Sequence, residues 1–131
     1  MSIADYIKSA DWKAEKHAPV IELPEAIHAN TRFMVTVSVG KEIPHPNTTE
    51  HHIRWIEVYF YPEGDKFIYH VGRFDFTAHG EAVAGANQGP VYTEPIATFA
   101  MKVAKPGKLV AMAYCNIHGL WQSEAEIVLS E

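Results

Sequence analysis

Hydrophobic and polar residues alternate over several short stretches of the chain. Between residues 33 and 39, Phe33, Val35, Val37 and Val39 occupy every second position. A period of two is that of a half-buried strand, and Gly40 marks its end. Residues 52–61 are rich in β-branched and aromatic side chains and end at a Pro-Glu-Gly turn. This second run predicts a buried strand.

Four further runs predict strands, at residues 66–77, 96–103, 108–115 and 124–129. Residues 41–49, 80–90 and 116–121 are predicted loops because proline, glycine or polar residues interrupt the pattern. Residues 2–14 show some helical spacing but are short and polar, and predict only a helical turn or a loop. Many short strands with almost no helix indicate an all-β fold. We expect an immunoglobulin-like antiparallel β-sandwich, formed as one domain by residues 1–131.

Composition and charge narrow the functional classes. The net charge of −5 argues against binding nucleic acid through a broad basic face. Cys115 is the only cysteine, so no intramolecular disulfide can form. Neither a signal-peptide pattern in the first 17 residues nor an apolar run of membrane-spanning length is present. We therefore expect a cytoplasmic protein that does not enter a membrane.

The sharpest local motif is Cys115-Asn116-Ile117-His118-Gly119, at the end of a predicted strand. Two residues between a thiolate and an imidazole allow both to reach one metal ion across a tight turn. Gly119 would let the backbone bend away from the site. On this motif alone, a buried cysteine beside an incidental histidine fits equally well.

Three other segments contain candidate histidine ligands. His45 lies between two prolines, which stiffen its loop. His51 and His52 begin a predicted strand, where neighbouring side chains point to opposite faces, so only one of them can readily face a given metal. His17 follows Glu15 and Lys16 in a charged segment that, taken alone, is typical of solvated surface.

Four imidazoles and one thiolate exceed the ligand number of a closed tetrahedral zinc site. Such a set suits a five-coordinate redox iron with one open position. Two other classes of metal site stay open at this point. A blue-copper electron carrier would use two histidines, a cysteine and usually a methionine, but no methionine follows His118. A structural zinc site would leave Glu15 and Lys16 without a purpose.

Together, residues 15–19, 44–53 and 115–119 resemble the superoxide reductases, also called neelaredoxins or the catalytic domain of desulfoferrodoxins. The resemblance extends from Asp11 to Trp121. It implies one non-haem iron, cycling between Fe²⁺ and Fe³⁺, and reduction of superoxide to hydrogen peroxide. The implied ligands are four equatorial imidazoles and an axial thiolate, from His17, His45, His51, His118 and Cys115. The remaining histidines, His28, His52, His70 and His79, match no ligand position.

The resemblance also implies roles for two catalytic residues. Lys16 would attract superoxide and help to position a water that supplies a proton, and Glu15 would occupy the sixth position on the oxidised iron. Because superoxide is an anion and the chain is negative, local positive charge is needed near the site. Candidates close to the ligands in sequence are Lys13, Lys16, Lys41 and Arg54.

The family implies a rubredoxin-like electron donor and a homo-oligomer, either a dimer or a tetramer. No additional four-cysteine domain precedes the predicted sandwich, so a one-iron enzyme is expected. A superoxide dismutase consumes the same substrate and is not separated from a reductase by residue types alone. Dioxygen evolution and the need for an external reductant would separate the two.

Overall fold

Seven antiparallel strands form two sheets in a computed structural model that describes residues 1–131. A three-stranded sheet has the order β1-β2-β5, and a four-stranded sheet has the order β4-β3-β6-β7. The strand bounds are β1 Val20–Glu22, β2 Phe33–Ser38, β3 Ile53–Pro62, β4 Tyr69–Asp75, β5 Ile96–Met101, β6 Gly107–Cys115 and β7 Gly119–Ile127. The predicted all-β, immunoglobulin-like sandwich is confirmed.

One strand was missed by the sequence analysis, and the predicted start of another is wrong. β1 was not predicted, because three residues between Pro19 and Pro24 are too few to show a period. β7 begins at Gly119 and not at Glu124, so the turn after β6 is only residues 116–118. β7 shows no regular alternation of burial. Trp121 and Ile127 are buried, and the residues between them are partly or fully exposed.

The N-terminal segment contains one short helical element. Ile3–Tyr6 forms a single 3-10 turn, capped by the Ser2 side chain. Lys8 then pairs with Trp121, which attaches the segment to the edge strand β7. No helix in the structure has the length and apolar character needed to cross a membrane.

The core lies between the two sheets. β2 contributes Val35 and Val37, β3 contributes Ile56 and Val58, and β6 contributes Leu109, all with no exposed surface. Every second residue of β6 faces this core. Cys115 has the same parity as Leu109 and is 1% exposed, so the alternation of the strand places its thiol on the core side.

Strand register brings several chain segments to one end of the sandwich. Val20 pairs with Ser38, and Cys115 pairs with both Ile53 and Gly119. These pairs mark the start of β1, the end of β2, the start of β3 and the turn between β6 and β7. The residues just before β1, the loop before β3 and the β6–β7 turn therefore meet at the same end.

Candidate metal centre

The end of the sandwich gathers the five predicted donors into one group, which we call the donor cluster. Its members are His17, His45, His51, Cys115 and His118. Donor atoms of the first four all lie within 4.8 Å of one another. His118 approaches with Nδ1, which lies 3.0 Å from Nε2 of His17 and 3.8 Å from the Cys115 sulfur.

The four imidazoles stand at the corners of a rough square. Neighbouring ring centroids are 4.9 Å apart for His17 and His45, and 4.8 Å apart for His45 and His51. The square closes through His118, whose centroid is 5.1 Å from that of His51 and 4.6 Å from that of His17. The diagonal between His17 and His51 is longer, at 6.4 Å. Four rings around a common centre could hold a single metal ion between them.

Hydrogen bonds on the outer nitrogens fix which ring nitrogen is free. Nδ1 of His17 donates to the Glu15 carboxylate at 2.6 Å, and Nδ1 of His45 donates to the Pro46 carbonyl at 2.7 Å. Both rings consequently carry their proton on Nδ1 and leave a lone pair on Nε2. A partner on the second nitrogen is the usual support for a histidine that binds a metal.

Two of the free nitrogens have no partner at all. Nε2 of His45 and Nε2 of His51 are buried and accept no hydrogen bond. A buried polar atom without a partner costs free energy, and native proteins rarely tolerate one. At the donor cluster both atoms lie beside a thiol, so a metal ion would satisfy them. The donor set therefore fits a mononuclear metal.

Burial keeps these rings neutral. It lowers the pKa of His45 to about 4, against the opposing effect of the hydrogen bond to Pro46. Burial also lowers the pKa of His17 and of His51, and nearby imidazoles and the Lys16 ammonium lower both further. A neutral imidazole is the form that binds a metal, so the cluster is ready to do so at pH 7.

Glycines shape the two loops that carry donors. Gly40, at the start of the loop with His45, has a φ of +92°, and a Cβ there would lie 2.7 Å from the His45 backbone nitrogen. Gly119 has a φ of +81°, which confirms that it lets the chain turn back after the cysteine motif. In that turn the His118 N–H donates to the Cys115 sulfur at 3.4 Å.

His52 faces away from the donor cluster, as strand alternation predicted. Its Nδ1 donates to the Thr48 carbonyl, and its ring stacks on buried His79 with centroids 3.4 Å apart. His28 and His70 are exposed and lie in other parts of the sandwich; Nε2 of His70 lies 2.9 Å from the Glu57 carboxylate. All four non-matching histidines lie outside the cluster.

The charged residues near the cluster differ in their contacts. Lys16 forms no ion pair, and its charge contributes to the lowered pKa of three cluster histidines. Lys13 lies over Trp12, whereas Lys41 pairs with Glu22 and Arg54 lies over Tyr114. Of the four predicted cations, Lys16 is the one whose charge lowers the pKa of cluster histidines.

Glu15 bonds to His17 twice. One carboxylate oxygen accepts from both the ring Nδ1 and the backbone N–H of His17. Burial would raise the pKa of the Glu15 carboxyl, but these hydrogen bonds outweigh it and lower the pKa. In this arrangement the carboxylate lies behind His17, on the side of the ring opposite the free nitrogen.

Sequence reasoning missed two residues that support the cluster. Trp121 stacks on His17 with centroids 5.0 Å apart, and its indole donates to the His118 carbonyl. Asn116 joins the turn after Cys115 to the backbone on both sides of His51. The position of Asn116 inside the cysteine motif was a signal for it, but no local pattern points to Trp121.

The fold and the donor set together define a class: a non-haem metalloprotein whose imidazole and thiolate donors lie at one end of an immunoglobulin-like β-sandwich. Four clustered imidazoles are twice the number in a blue-copper site, and five donors exceed a tetrahedral zinc site. Both alternatives are thereby disfavoured.

Comparisons with known proteins identify the family. The family model described as desulfoferrodoxin matches residues 9–124. Neelaredoxin from Megalodesulfovibrio gigas is 60% identical over 129 residues, covering 98% of this chain and 99% of the relative. Superoxide reductase from Pyrococcus furiosus is 60% identical over 125 residues, covering 95% and 98%.

A solved structure agrees with these relatives. The superoxide reductase (neelaredoxin) from Archaeoglobus fulgidus in the reduced form superposes with a TM-score of 0.88 at 60% identity, covering 95% of this chain and 99% of that one. The chain belongs to the desulfoferrodoxin family and is a superoxide reductase of the neelaredoxin type. The resemblance seen in the sequence is thus confirmed.

Proposed function

We propose that the chain reduces superoxide to hydrogen peroxide at one iron ion held by the donor cluster, taking one electron from an external donor and two protons from solvent for each superoxide. The observation that carries this proposal is the convergence of four imidazoles and the only thiol on one point at the end of the sandwich. Iron bound there would supply the electron and an open position for the anion.

The ligands we assign are Nε2 of His17, His45 and His51, Nδ1 of His118 and the sulfur of Cys115. Glu15 and the Pro46 carbonyl hold two of the rings in the required tautomer. Nδ1 of His118 lies 3.0 Å from Nε2 of His17, so both atoms could face the same ion, and His118 would then carry its proton on Nε2. The thiolate is the most electron-rich donor of the set and favours the oxidised state of the metal.

Lys16 attracts the substrate in this mechanism. Its ammonium forms no ion pair, and its charge acts on the pKa of His45 and His51, which places it near the cluster. A local cation focuses an anionic substrate on the site despite the net charge of −5. Its strongly hydrated head group also holds water, which can deliver a proton to the reduced product.

Glu15 has two roles in our proposal. In the arrangement seen here it holds the tautomer of His17. The second role, as the sixth ligand of the oxidised metal, requires the carboxylate to leave His17 and swing past the ring. A Glu15→Ala protein whose oxidised visible spectrum matches that of the wild type would remove this second role.

The remaining partners stay predictions. Rubredoxin or a similar small electron carrier is proposed as the donor, a homodimer or homotetramer as the assembly, and the cytoplasm as the location. The edge strands β4 and β5 are available for association between copies.

The test is an iron determination on purified protein, combined with rapid mixing of the reduced protein with superoxide. We expect about one iron per chain, and a thiolate-to-iron band that appears as superoxide is consumed. Peroxide should form without release of dioxygen. Dioxygen evolution in the absence of a reductant would instead identify a dismutase, and zinc or copper with no response to superoxide would overturn the proposal.

A further inference from the structure

Asn116 lies between the two donors of the β6–β7 turn, but its side chain points to a different donor. Its Oδ1 accepts from the N–H of His52 at 2.9 Å, and its Nδ2 donates to the carbonyl of Glu50 at 2.9 Å. These two backbone groups flank His51. The Asn116 side-chain amide therefore holds the backbone around one donor, His51, although Asn116 itself comes directly after another donor, Cys115.

These two hydrogen bonds extend the pairing of β3 with β6 by one step, with a side chain in place of backbone. Backbone pairing of β3 with β6 ends at Ile53 and Cys115, where the chain turns away. Beyond that pair, the Asn116 N–H still reaches the His52 carbonyl at 3.2 Å, and the amide group then takes the place of the next backbone unit. An amide can do this because it donates and accepts at the same time, as a peptide group does.

We infer that Asn116 is a positioning residue for the metal centre, which sets the position of the His51 ring relative to Cys115 through these two hydrogen bonds. This inference rests on the proposed role of His51 as a metal ligand. Nε2 of His51 is buried and unpartnered, and its ring lacks the hydrogen bond to an acceptor that holds the rings of His17 and His45. The two Asn116 hydrogen bonds to the backbone on either side of His51 fix the position of that ring instead.

The far side of the same loop is anchored independently. The Thr49 hydroxyl donates to the His79 carbonyl, and Asn87 exchanges hydrogen bonds with Thr49 and donates to the Glu50 carboxylate. Loss of Asn116 thus leaves the loop attached to the sandwich, and the expected effect is confined to the His51 end of it.

Cobalt(II) alone is a suitable probe, because it binds imidazole and thiolate donors and its visible spectrum reports their geometry. In Asn116→Asp the isosteric side chain can no longer donate to the Glu50 carbonyl, and in Asn116→Ala both hydrogen bonds are lost. We expect the cobalt affinity of either variant, measured by competition with a chelator, to fall about 10–100-fold, as for other residues that orient metal ligands. The ligand-field bands should shift as well.

Asn47→Ala is the matched control. Asn47 lies in the same loop, between His45 and His51, but donates one hydrogen bond away from the cluster, to the Thr93 carbonyl. Unchanged cobalt affinity and bands in both Asn116 variants, or an equal loss in Asn47→Ala, would overturn the inference. A purely structural role would lower the urea stability of the metal-free chain and leave the cobalt spectrum of the folded protein unaltered, which would overturn it too. Failure of the wild type to bind cobalt would count instead against the proposed metal centre.

Discussion

At the scale of single residues, the site depends on neutral, fixed imidazoles beside one unpaired cation. Hydrogen bonds to Glu15 and Pro46 select the tautomers of two rings, and burial lowers the pKa of the rings that face the metal position. These effects come from different neighbouring residues. Single substitutions can therefore test the contribution of the cation, of the ring tautomer and of ring burial one at a time.

Lys16 offers a test of charge alone. Replacement by alanine should slow the second-order reaction with superoxide about tenfold and flatten its dependence on ionic strength, because the cation that focuses the anion is lost. Stopped-flow or pulse-radiolysis rates at several salt concentrations measure both quantities. Lys13→Ala is the control, since Lys13 lies over Trp12. An unchanged salt slope in Lys16→Ala would remove this lysine from the mechanism.

The lowered pKa of His45 predicts acid sensitivity of the metal-free chain. Its pKa is about 4 in the folded state and close to 6.5 when unfolded, so the unfolded chain binds the proton first as pH falls. The stabilising contribution is complete above about pH 6.5 and is lost between there and about pH 4. Allowing for solvent screening of this half-buried ring, the loss is about 1–2 kcal/mol.

Urea unfolding at pH 7 and pH 4.5 measures this loss. His45→Gln should show a smaller decrease in unfolding free energy than the wild type, because one buried titrating ring is gone. His28→Gln changes an exposed histidine outside the cluster and should retain the wild-type decrease. Equal decreases in all three proteins would contradict the assignment to His45.

At the scale of elements, the donor cluster is a product of turns at one end of the sheets. Strand parity puts Cys115 on the core side of β6, and the left-handed Gly119 reverses the chain so that β7 can pair at once. This three-residue turn fixes the spacing between the Cys115 thiol and the His118 imidazole.

Gly119→Ala tests the turn. No atom lies within 4 Å of the added Cβ, so the cost is backbone strain from the positive φ, about 1 kcal/mol of unfolding free energy. Gly64→Ala is a close control, because Gly64 has a φ of +77° and equally open surroundings in the distant β3–β4 turn. Thermal or urea unfolding should show similar losses for both variants. Only Gly119→Ala should also weaken metal binding, and equal metal affinity in the two would contradict the importance of this turn.

Most of the strands and all five donors could be predicted from the sequence, but some elements and contacts could not. A period of two predicted β2, and a run of β-branched and aromatic residues predicted β3. β1 is too short to display a period, and the start of β7 is masked by the partly buried residues between Trp121 and Ile127. Short motifs predicted the five donors. The contact of Trp121 with His17 depends on tertiary packing across more than a hundred positions, which no local pattern encodes.

At the scale of the whole molecule, the donor cluster ties together the two sheets and the N-terminal segment. His17 precedes β1 of the smaller sheet, and Cys115 ends β6 of the larger one. A metal ion bound to both would act as a cross-link between the sheets in the folded state only, since the unfolded chain does not present the donors together.

Metal removal should therefore lower the stability of the whole sandwich. At a free metal concentration one hundred times the dissociation constant, binding contributes about 2.7 kcal/mol to the free energy of unfolding. Scanning calorimetry of the iron-loaded and chelator-treated protein measures the difference in melting temperature. Cys115→Ala should melt at the same temperature with and without iron, or nearly so. A metal-independent melting temperature of the wild type would show that the cluster does not join the sheets.

His17 and His118 are 101 residues apart in the chain, although their rings touch. During synthesis, a growing chain that has not yet released the β6–β7 turn from the ribosome can present three of the imidazoles and no thiolate. It therefore lacks two of the five donors, and with them the ligand number and geometry through which a site selects its metal ion. Selective metal uptake has to wait until synthesis is almost complete, and a nascent or C-terminally truncated chain would be open to loading with the wrong ion.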